Sequence, residues 1–174
     1  MHPQASNFVL NSADYVTWNG ARVIEVGAQD VNGAVRNYIE EAGYLPDTWV
    51  GFDLVPGPGV DVVGDAADTL ATVAGIDFDI AVSTEVLEHA ERWSEIVVGM
   101  INALRQGGWL IITCAAPGRG AHGASGGEWA EDEFYENVSL EALRQVIEAH
   151  GMWMLRGEQS IDWPQDTRLV AVKL

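Results

Sequence analysis

Positive charge is scarce in this chain of 174 residues: 9 Lys and Arg stand against 26 Asp and Glu, a formal net charge of −17. Such a surface repels a phosphate backbone instead of gathering on it, so direct nucleic-acid binding is disfavoured. Cysteine is almost absent. The single Cys114 excludes an internal disulfide, and its place in the apolar run Leu110-Ile111-Ile112-Thr113-Cys114 suits a buried thiol in a reducing, cytoplasmic setting. No stretch approaches the ~18 consecutive apolar residues that a membrane span needs. Met1-His2-Pro3-Gln4 carries neither the basic region nor the apolar block of an export signal. Membrane insertion and export are therefore not expected. No internal repeat is visible, and 48% apolar residues suffice for one core. The expectation is a single domain over residues 1–174.

What is present is organised around residues 22–33. Val23, Ile24 and Val26 make an apolar run of strand length carrying one acid, Glu25, and the run breaks at Gly27 into a short polar loop that reaches Gly33 and a helical pattern. This reads as strand, turn, helix. Open α/β sheets bind ligands at the C-terminal ends of their strands, and a helix start offers unpaired backbone N–H groups. A nucleotide-like ligand is therefore the first functional expectation.

The rest of the chain continues the alternation. Residues 8–18 suit a short helix or coil over the sheet edge. Val35, Tyr38 and Ile39 sit at helical spacing before a stop at Gly43. Residues 49–53 form a second strand ending in Asp53, and Pro56, Gly57, Pro58 and Gly59 enforce a tight loop after it. A third strand is expected over 60–63, then Gly64-Asp65-Ala66 and a short helix over 68–73. A fourth strand over 78–82 leaves through the loop Ser83-Thr84-Glu85-Val86-Leu87-Glu88-His89. Ser94 is a candidate cap for a helix to Arg105, with Ile96, Val97, Met100, Ile101 and Leu104 at spacings of three and four, and Gly107-Gly108 as its end. Residues 109–114, apolar on both faces, make a fifth, central parallel strand. Five glycines between 117 and 127 predict a mobile loop over the ligand edge. Ser139 caps a helix to His150, and residues 153–158 and 168–173 read as closing strands joined by a turn with Pro164. The order implies a doubly wound α/β fold with a mostly parallel sheet. Trp49, Trp109 and Trp153 fall in strand patterns and belong to the core. Trp129 and Tyr135 are candidates to line an acceptor pocket. The acids Glu128, Glu131, Asp132, Glu133 and Glu136 read as a solvated face that also suits a cationic acceptor or partner. His2 reads as part of a disordered terminus and His150 as a helix-end residue.

Val23-Ile24-Glu25-Val26-Gly27 with Gly33, the strand-ending Asp53, Gly64-Asp65-Ala66, the segment from Phe78 to His89, and Gly107-Gly108 before the fifth strand occur in an order that resembles the class I S-adenosylmethionine-dependent methyltransferases. The resemblance covers residues 20–174. It implies a seven-stranded Rossmann-like sheet with an antiparallel C-terminal hairpin, S-adenosylmethionine as cofactor, and methyl transfer to a small-molecule or protein acceptor. It places Gly27, Ala28 and Gly33 around the methionine part of the cofactor, Asp53 on both ribose hydroxyls with Leu54 beside it, and Asp65 on the adenine amino group with the Ala66 N–H nearby. Ser83, Thr84 and Glu85 fall on the methyl-donor side. Glu25 either contacts the cofactor or pairs with a loop amide, and Asp65 has helix capping as its other role. Independently of the resemblance, Asp53 lies 20 positions beyond Gly33, a workable spacing for an acid over a nucleoside ribose.

A base is needed only where the acceptor must lose a proton; His122, Glu85 and His89 are the candidates, and no metal site is expected. The chain departs from the resemblance at one point. Gly27-Ala28-Gln29-Asp30 lacks the middle glycine of Glu/Asp-x-Gly-x-Gly-x-Gly, and a positive φ there is strained for other residues. The segment after the fourth strand also lacks the Asn/Asp-Pro-Pro-Tyr string of enzymes that methylate DNA amino groups. Two other functions compete. A nicotinamide-dependent oxidoreductase wants Gly-x-Gly-x-x-Gly, which fails here at the second glycine. A non-catalytic regulatory partner that binds S-adenosylmethionine or S-adenosylhomocysteine is favoured by the altered loop and the absence of an evident base.

Overall fold

The computed structural model describes residues 2–31, 33–160 and 163–174. Asn32 of the expected first loop, and Ile161 and Asp162 of the expected closing turn, lie outside the described residues, as does Met1. Seven strands, β1 (Arg22–Val26), β2 (Thr48–Asp53), β3 (Val62–Val63), β4 (Phe78–Thr84), β5 (Leu104–Ala115), β6 (Trp153–Gln159) and β7 (Asp166–Lys173), form one sheet in the order β3-β2-β1-β4-β5-β7-β6. β1 to β5 run parallel, while β7 pairs antiparallel with both β5 and β6. The expected fold, hairpin included, is the one observed.

Five helices, α1 (Pro3–Asn11), α2 (Val35–Glu41), α3 (Ala66–Thr69), α4 (Trp93–Ala103) and α5 (Leu140–Glu148), cover the two faces. Successive side chains of a strand point to opposite faces, so the central strands must be apolar throughout. Val23, Ile80, Val82, Ile111 and Val170 pack with Val9 of α1 and Val35 and Ile39 of α2. Ile24, Val26, Ala81, Leu110, Ile112, Cys114, Leu169 and Ala171 pack with Ile96, Val97, Met100 and Ile101 of α4 and Leu143 and Ile147 of α5. Each fully buried aliphatic side chain contributes about 1.5–3 kcal/mol, which holds the strand ends in fixed register. Cys114 is buried and free, its thiol pKa pushed up chiefly by burial. Trp49 is buried and stacks on the buried Trp18 at 6.0 Å, while Trp109 and Trp153 are half-buried at the margins of the core.

Several boundaries differ from expectation. α1 starts at Pro3, where a proline is tolerated because the first-turn amide needs no helical partner, directly after His2, whose Nδ1 lies 3.2 Å from Gln4 Oε1 and 3.4 Å from the Ala5 amide. β3 is only two residues long, because Asp61 is drawn off to Gly51: its amide donates to the Gly51 carbonyl at 2.8 Å and its carboxylate accepts from the Gly51 amide at 2.8 Å. The third helix begins earlier, at Ala66, and continues as a 3-10 turn over Leu70–Val73. Ser83 and Thr84 extend β4 instead of entering the loop. Ser94 does not cap α4; the helix starts at Trp93 after Arg92, with no side-chain cap, and ends at Ala103. Leu104 already pairs with Phe78 in β5, and Gly107-Gly108 lie within that strand, where the register shifts between Phe78 and Ile80. Ser139 caps α5 through the Ala142 amide as expected, and His150 binds the Val146 carbonyl at the helix end. No helix among the described residues is long and apolar enough to cross a membrane.

Candidate active site

The parallel strands all end on one edge, and the chain reverses its winding direction between β1 and β4, the position at which an open α/β sheet forms its ligand crevice. A cleft of about 1170 Å³ opens there. A shallower groove of about 770 Å³ between α3, α4 and α5 lies away from the strand ends.

One half of the cleft is built from the ends of β1 and β2. Gly27 turns the chain at φ +82°, and a Cβ at this position would come within 2.1 Å of Val86 Cγ2. The Gly27 and Ala28 amides donate to the Phe52 carbonyl at 2.8 and 3.1 Å, and the Gln29 amide donates to Asp53 Oδ2 at 3.0 Å. The Val55 amide donates to Asp53 Oδ1 at 3.2 Å. Asp30 closes the turn, accepting from the Gly33 amide and from Asn37 Nδ2, each at 2.9 Å. The expected strain at the absent middle glycine does not arise: Asp77, Glu85 and Gln165 are the only non-glycine residues with positive φ among those described, and none lies in this loop.

Glu25 is 2% exposed and accepts from Trp49 Nε1 at 2.9 Å and from the Val35 amide, the first of α2. Burial pushes its pKa up to about 7, against the opposing pull of those two donors. The partner amide is thus the first of α2 and not the loop amide that was expected, and the residue also borders the cleft. Asp65 both caps α3, through the Ala67 amide at 2.9 Å, and borders the cleft, with its other oxygen 3.4 Å from the Arg92 guanidinium. Gly33, Leu54, Ala66 and Thr84 border the cleft as well. Ala28 and Ser83 do not; both are buried.

The other half is a charged cluster at the ends of β4, β5 and β7. Glu85, at φ +58°, accepts from Arg119 NH1 at 2.6 Å and from Thr113 Oγ1 at 3.1 Å. Arg119 NH1 also donates to Asp166 Oδ1 at 2.8 Å, and Arg168 donates to Asp166 Oδ2 at 3.1 Å; Asp166 is fully buried. Desolvation works to raise the Glu85 pKa, but His2 and Arg119 together hold it well below the usual carboxylate range. Glu88, fully buried three residues on, has the opposite shift. Burial and the neighbouring Glu85 push its pKa up; Oε1 accepts from the Ala115 amide at 3.1 Å, and Oε2 has no partner.

His89, His122 and Tyr135 meet edge to face with ring centroids 5.0 to 5.4 Å apart. Burial, then the neighbouring His122, lowers the His89 pKa to about 4, so it is neutral at pH 7. His122 Nε2 lies 4.0 Å from Glu88 Oε1 and 3.5 Å from Arg119 NH2, with Nδ1 3.3 Å from the Gly120 carbonyl. Of the two aromatic residues expected at an acceptor pocket, Trp129 and Tyr135 both stand back from the cleft, whose wall at that point is Glu133 and Phe134. The glycine-rich stretch does border it, through Gly120, His122, Gly123, Ala124, Ser125 and Gly126.

The sequence reading missed Glu88, Arg119 and Asp166 and misplaced His2. The second acid three positions after Glu85 is the one local signal for the first; no local signal marks the others, because their partners lie far away in the chain. His2, expected in a disordered terminus, borders the cleft with Nε2 3.1 Å from Glu85 and 3.3 Å from Asp166, though its N–H is aligned with neither oxygen. Desolvation pulls its pKa down, but Asp166 and Glu85 outweigh it and raise the value to about 9. A pKa raised from 6.5 stabilises the folded state fully below pH 6.5 and loses that contribution as pH rises through 9. Thermal unfolding across this window is expected to show the melting temperature of the native chain falling more steeply than that of His2→Ala; parallel curves would exclude the ion pairs as its anchor.

The family model described as "Methyltransferase domain" matches residues 24–112, which contain the last three residues of β1, all of β2 to β4 and α4, and most of β5. No curated protein sequence matches the chain. Among solved structures it is similar to an S-adenosylmethionine-dependent methyltransferase from Mesorhizobium loti (TM-score 0.72, 14% identity, 97% of this chain and 98% of that one). It is also similar to one from Archaeoglobus fulgidus (TM-score 0.67, 16% identity, 97% and 94%). A third is the 1,6-didemethyltoxoflavin-N1-methyltransferase of Burkholderia thailandensis, solved with 1,6-didemethyltoxoflavin and S-adenosylhomocysteine (TM-score 0.66, 16% identity, 98% and 77%). At these identities the structural likeness speaks for the fold, and the family match extends over half of the sequence. The chain belongs to the methyltransferase-domain family, the class I S-adenosylmethionine-dependent methyltransferases.

Proposed function

We propose that the β1–β2 half of the cleft holds S-adenosylmethionine and that the methyl acceptor, a small molecule or a protein segment, enters beside His89 and His122. The observation that carries this reading is the convergence of the Gly27 turn and Asp53 on one space: the Asp53 carboxylate reaches across to the Gln29 amide while bordering the cleft. The residues suit the donor chemically. Asp53 offers acceptor lone pairs for ribose hydroxyls, Gly27 lets a ligand approach the backbone, and the carboxylates around the cleft match a cationic sulfonium. A cleft of 1170 Å³ exceeds the roughly 300–1,000 Å³ of a typical single-ligand pocket, as two reactants require. When bound, the cofactor supplies a methyl group already activated by positive charge.

The protein's task is then to hold donor and acceptor in line, where effective molarities reach on the order of 10⁵–10⁸ M. Of the three candidate bases, Glu85 is engaged by Arg119, Thr113 and His2, so a proton leaving the acceptor is assigned to the side of His89 and His122. The net charge of −17 favours a neutral or cationic acceptor over a polyanion. Asp53→Ala is expected to weaken calorimetric binding of S-adenosylhomocysteine by at least roughly tenfold, the scale of a lost charge-assisted hydrogen bond. Unchanged affinity in a variant that keeps its melting temperature would remove Asp53 from the cofactor site.

A further inference from the structure

Two groups of metal-competent side chains lie at the acceptor end of the cleft: His2, Glu85 and Asp166, and Glu88, His89 and His122, each with its donor atoms within 4.8 Å of one another. They are not equivalent. The first already holds the Arg119 guanidinium between its two carboxylates, with Arg168 on the far oxygen of Asp166, so its charge is met. In the second, Glu88 Oε2 and His89 Nδ1 are buried and without a hydrogen-bond partner. A fully enclosed carboxylate oxygen left unpartnered is costly, and such a group calls for a ligand.

We propose that Glu88, His89 and His122 bind a divalent transition-metal ion at the acceptor end of the cleft. Two imidazoles and one carboxylate form a borderline-soft donor set that suits zinc, cobalt, nickel, iron or manganese better than magnesium or calcium. The second layer is in place. His122 Nδ1 faces the Gly120 carbonyl at 3.3 Å, which leaves Nε2 as the lone-pair atom toward Glu88 at 4.0 Å. The Ala115 amide steadies Glu88 Oε1. The 4.0 Å separation must contract by roughly 0.5–1 Å to reach ligand–metal distances of about 2.0–2.2 Å, a ring rotation of His122 in its glycine-rich segment. Arg119 NH1 is held by Glu85 and Asp166, while its NH2 lies 3.5 Å from His122 Nε2, so the same ring rotation must withdraw Nε2 from the guanidinium as the ion binds.

Three protein ligands leave coordination positions open, and His89 and His122 border the cleft. An acceptor oxygen taking one of those positions would be acidified by the ion, which makes a hydroxyl-bearing acceptor the fitting class; this last step rests on the methyltransferase reading, whereas ion binding does not. The test uses untagged protein, stripped with a chelator and titrated with Co²⁺ by calorimetry and visible absorption. One equivalent is expected to bind and to be displaced by Zn²⁺ but not by Mg²⁺ or Ca²⁺, and both His122→Ala and Glu88→Gln are expected to weaken it by tenfold or more. His122 sits on a surface segment, so that variant carries the result if Glu88→Gln proves unfolded by circular dichroism. Absence of Co²⁺ binding, or binding that His122→Ala leaves intact as for general attraction to an acidic surface, overturns the proposal. Titration of S-adenosylhomocysteine into the same samples separates the two readings, since loss of nucleoside binding alone would sink the functional proposal and leave the ion site standing.

Discussion

Gly27→Ala is expected to cost the protein about 2–4 kcal/mol of stability and roughly a hundredfold in affinity for S-adenosylhomocysteine. Two separate effects meet at this residue. A left-handed backbone is unfavourable by about 1–2 kcal/mol for a residue with a Cβ, and Gly27 sits at φ +82°. The added methyl would also stand 2.1 Å from Val86 Cγ2, so either Val86 or the turn must move, an overpacking cost of typically 1–3 kcal/mol. Because the Gly27 and Ala28 amides are tied to the Phe52 carbonyl, a shift of the turn displaces Gln29 from Asp53 as well. The double variant Gly27→Ala/Val86→Ala separates the contributions. It removes the methyl overlap and leaves the backbone penalty, so part of the stability should return. Thermal unfolding and calorimetry on the single and double variants check both; a single variant as stable as the native chain would mean that the turn is not under this constraint.

How much of this was legible beforehand depends on the distance over which residues act. The sheet was readable because each central strand declares itself locally, as in Leu110 to Cys114, where alternate side chains feed the two faces of the core. The β1–β2 half of the cleft was readable because Gly27, Asp53 and Asp65 each stand at or just beyond a strand end, and the parallel sheet brings those ends to one edge. The missing middle glycine was not interpretable from the pattern alone. Gln29 offers its amide to Asp53 and Asp30 folds back on Gly33, so side-chain hydrogen bonds hold a turn that needs no positive φ at that point. Helix ends were misplaced where tertiary pairing intervened, as when the β5 register captures Leu104 before α4 can extend to Arg105.

The charged half of the cleft escaped because it is assembled from residues 2, 85, 88, 119 and 166, whose charges meet only after the sheet closes. A terminal histidine looks expendable until Glu85 and Asp166 are placed around it. Glu85 and Glu88, alike in sequence and three residues apart, are driven in opposite directions, one by cations and the other by burial. Composition and spacing do not carry that difference; the placement of His2 and Arg119 beside Glu85 and the full burial of Glu88 do.

Arg119 is therefore the side chain whose loss should be felt most widely. Its NH1 donates to Glu85 at 2.6 Å and to Asp166 at 2.8 Å, and Asp166 is completely buried. Removing one member of a buried ion pair leaves an uncompensated charge, at a typical cost of 3–5 kcal/mol. Arg168 and His2 remain beside the acids, which argues for the lower end, about 3 kcal/mol, or a fall in melting temperature of roughly 6–12 °C for a chain of this size. Arg119→Ala should show it at neutral pH. The acid limb supplies the diagnostic. Glu85 has a depressed pKa, so its contribution is present above the ordinary glutamate pKa of about 4.3 and disappears as pH falls through the lower folded value. Native protein should lose stability over that acid range, while Arg119→Ala, having forfeited much of the ion pairing, should lose less. Arg119→Lys, which keeps the charge without the planar guanidinium, should recover part of the loss. If Arg119→Ala unfolds at the native temperature with the native acid profile, Glu85 and Asp166 are neutralised without it and the cluster is organised by His2 and Arg168 instead.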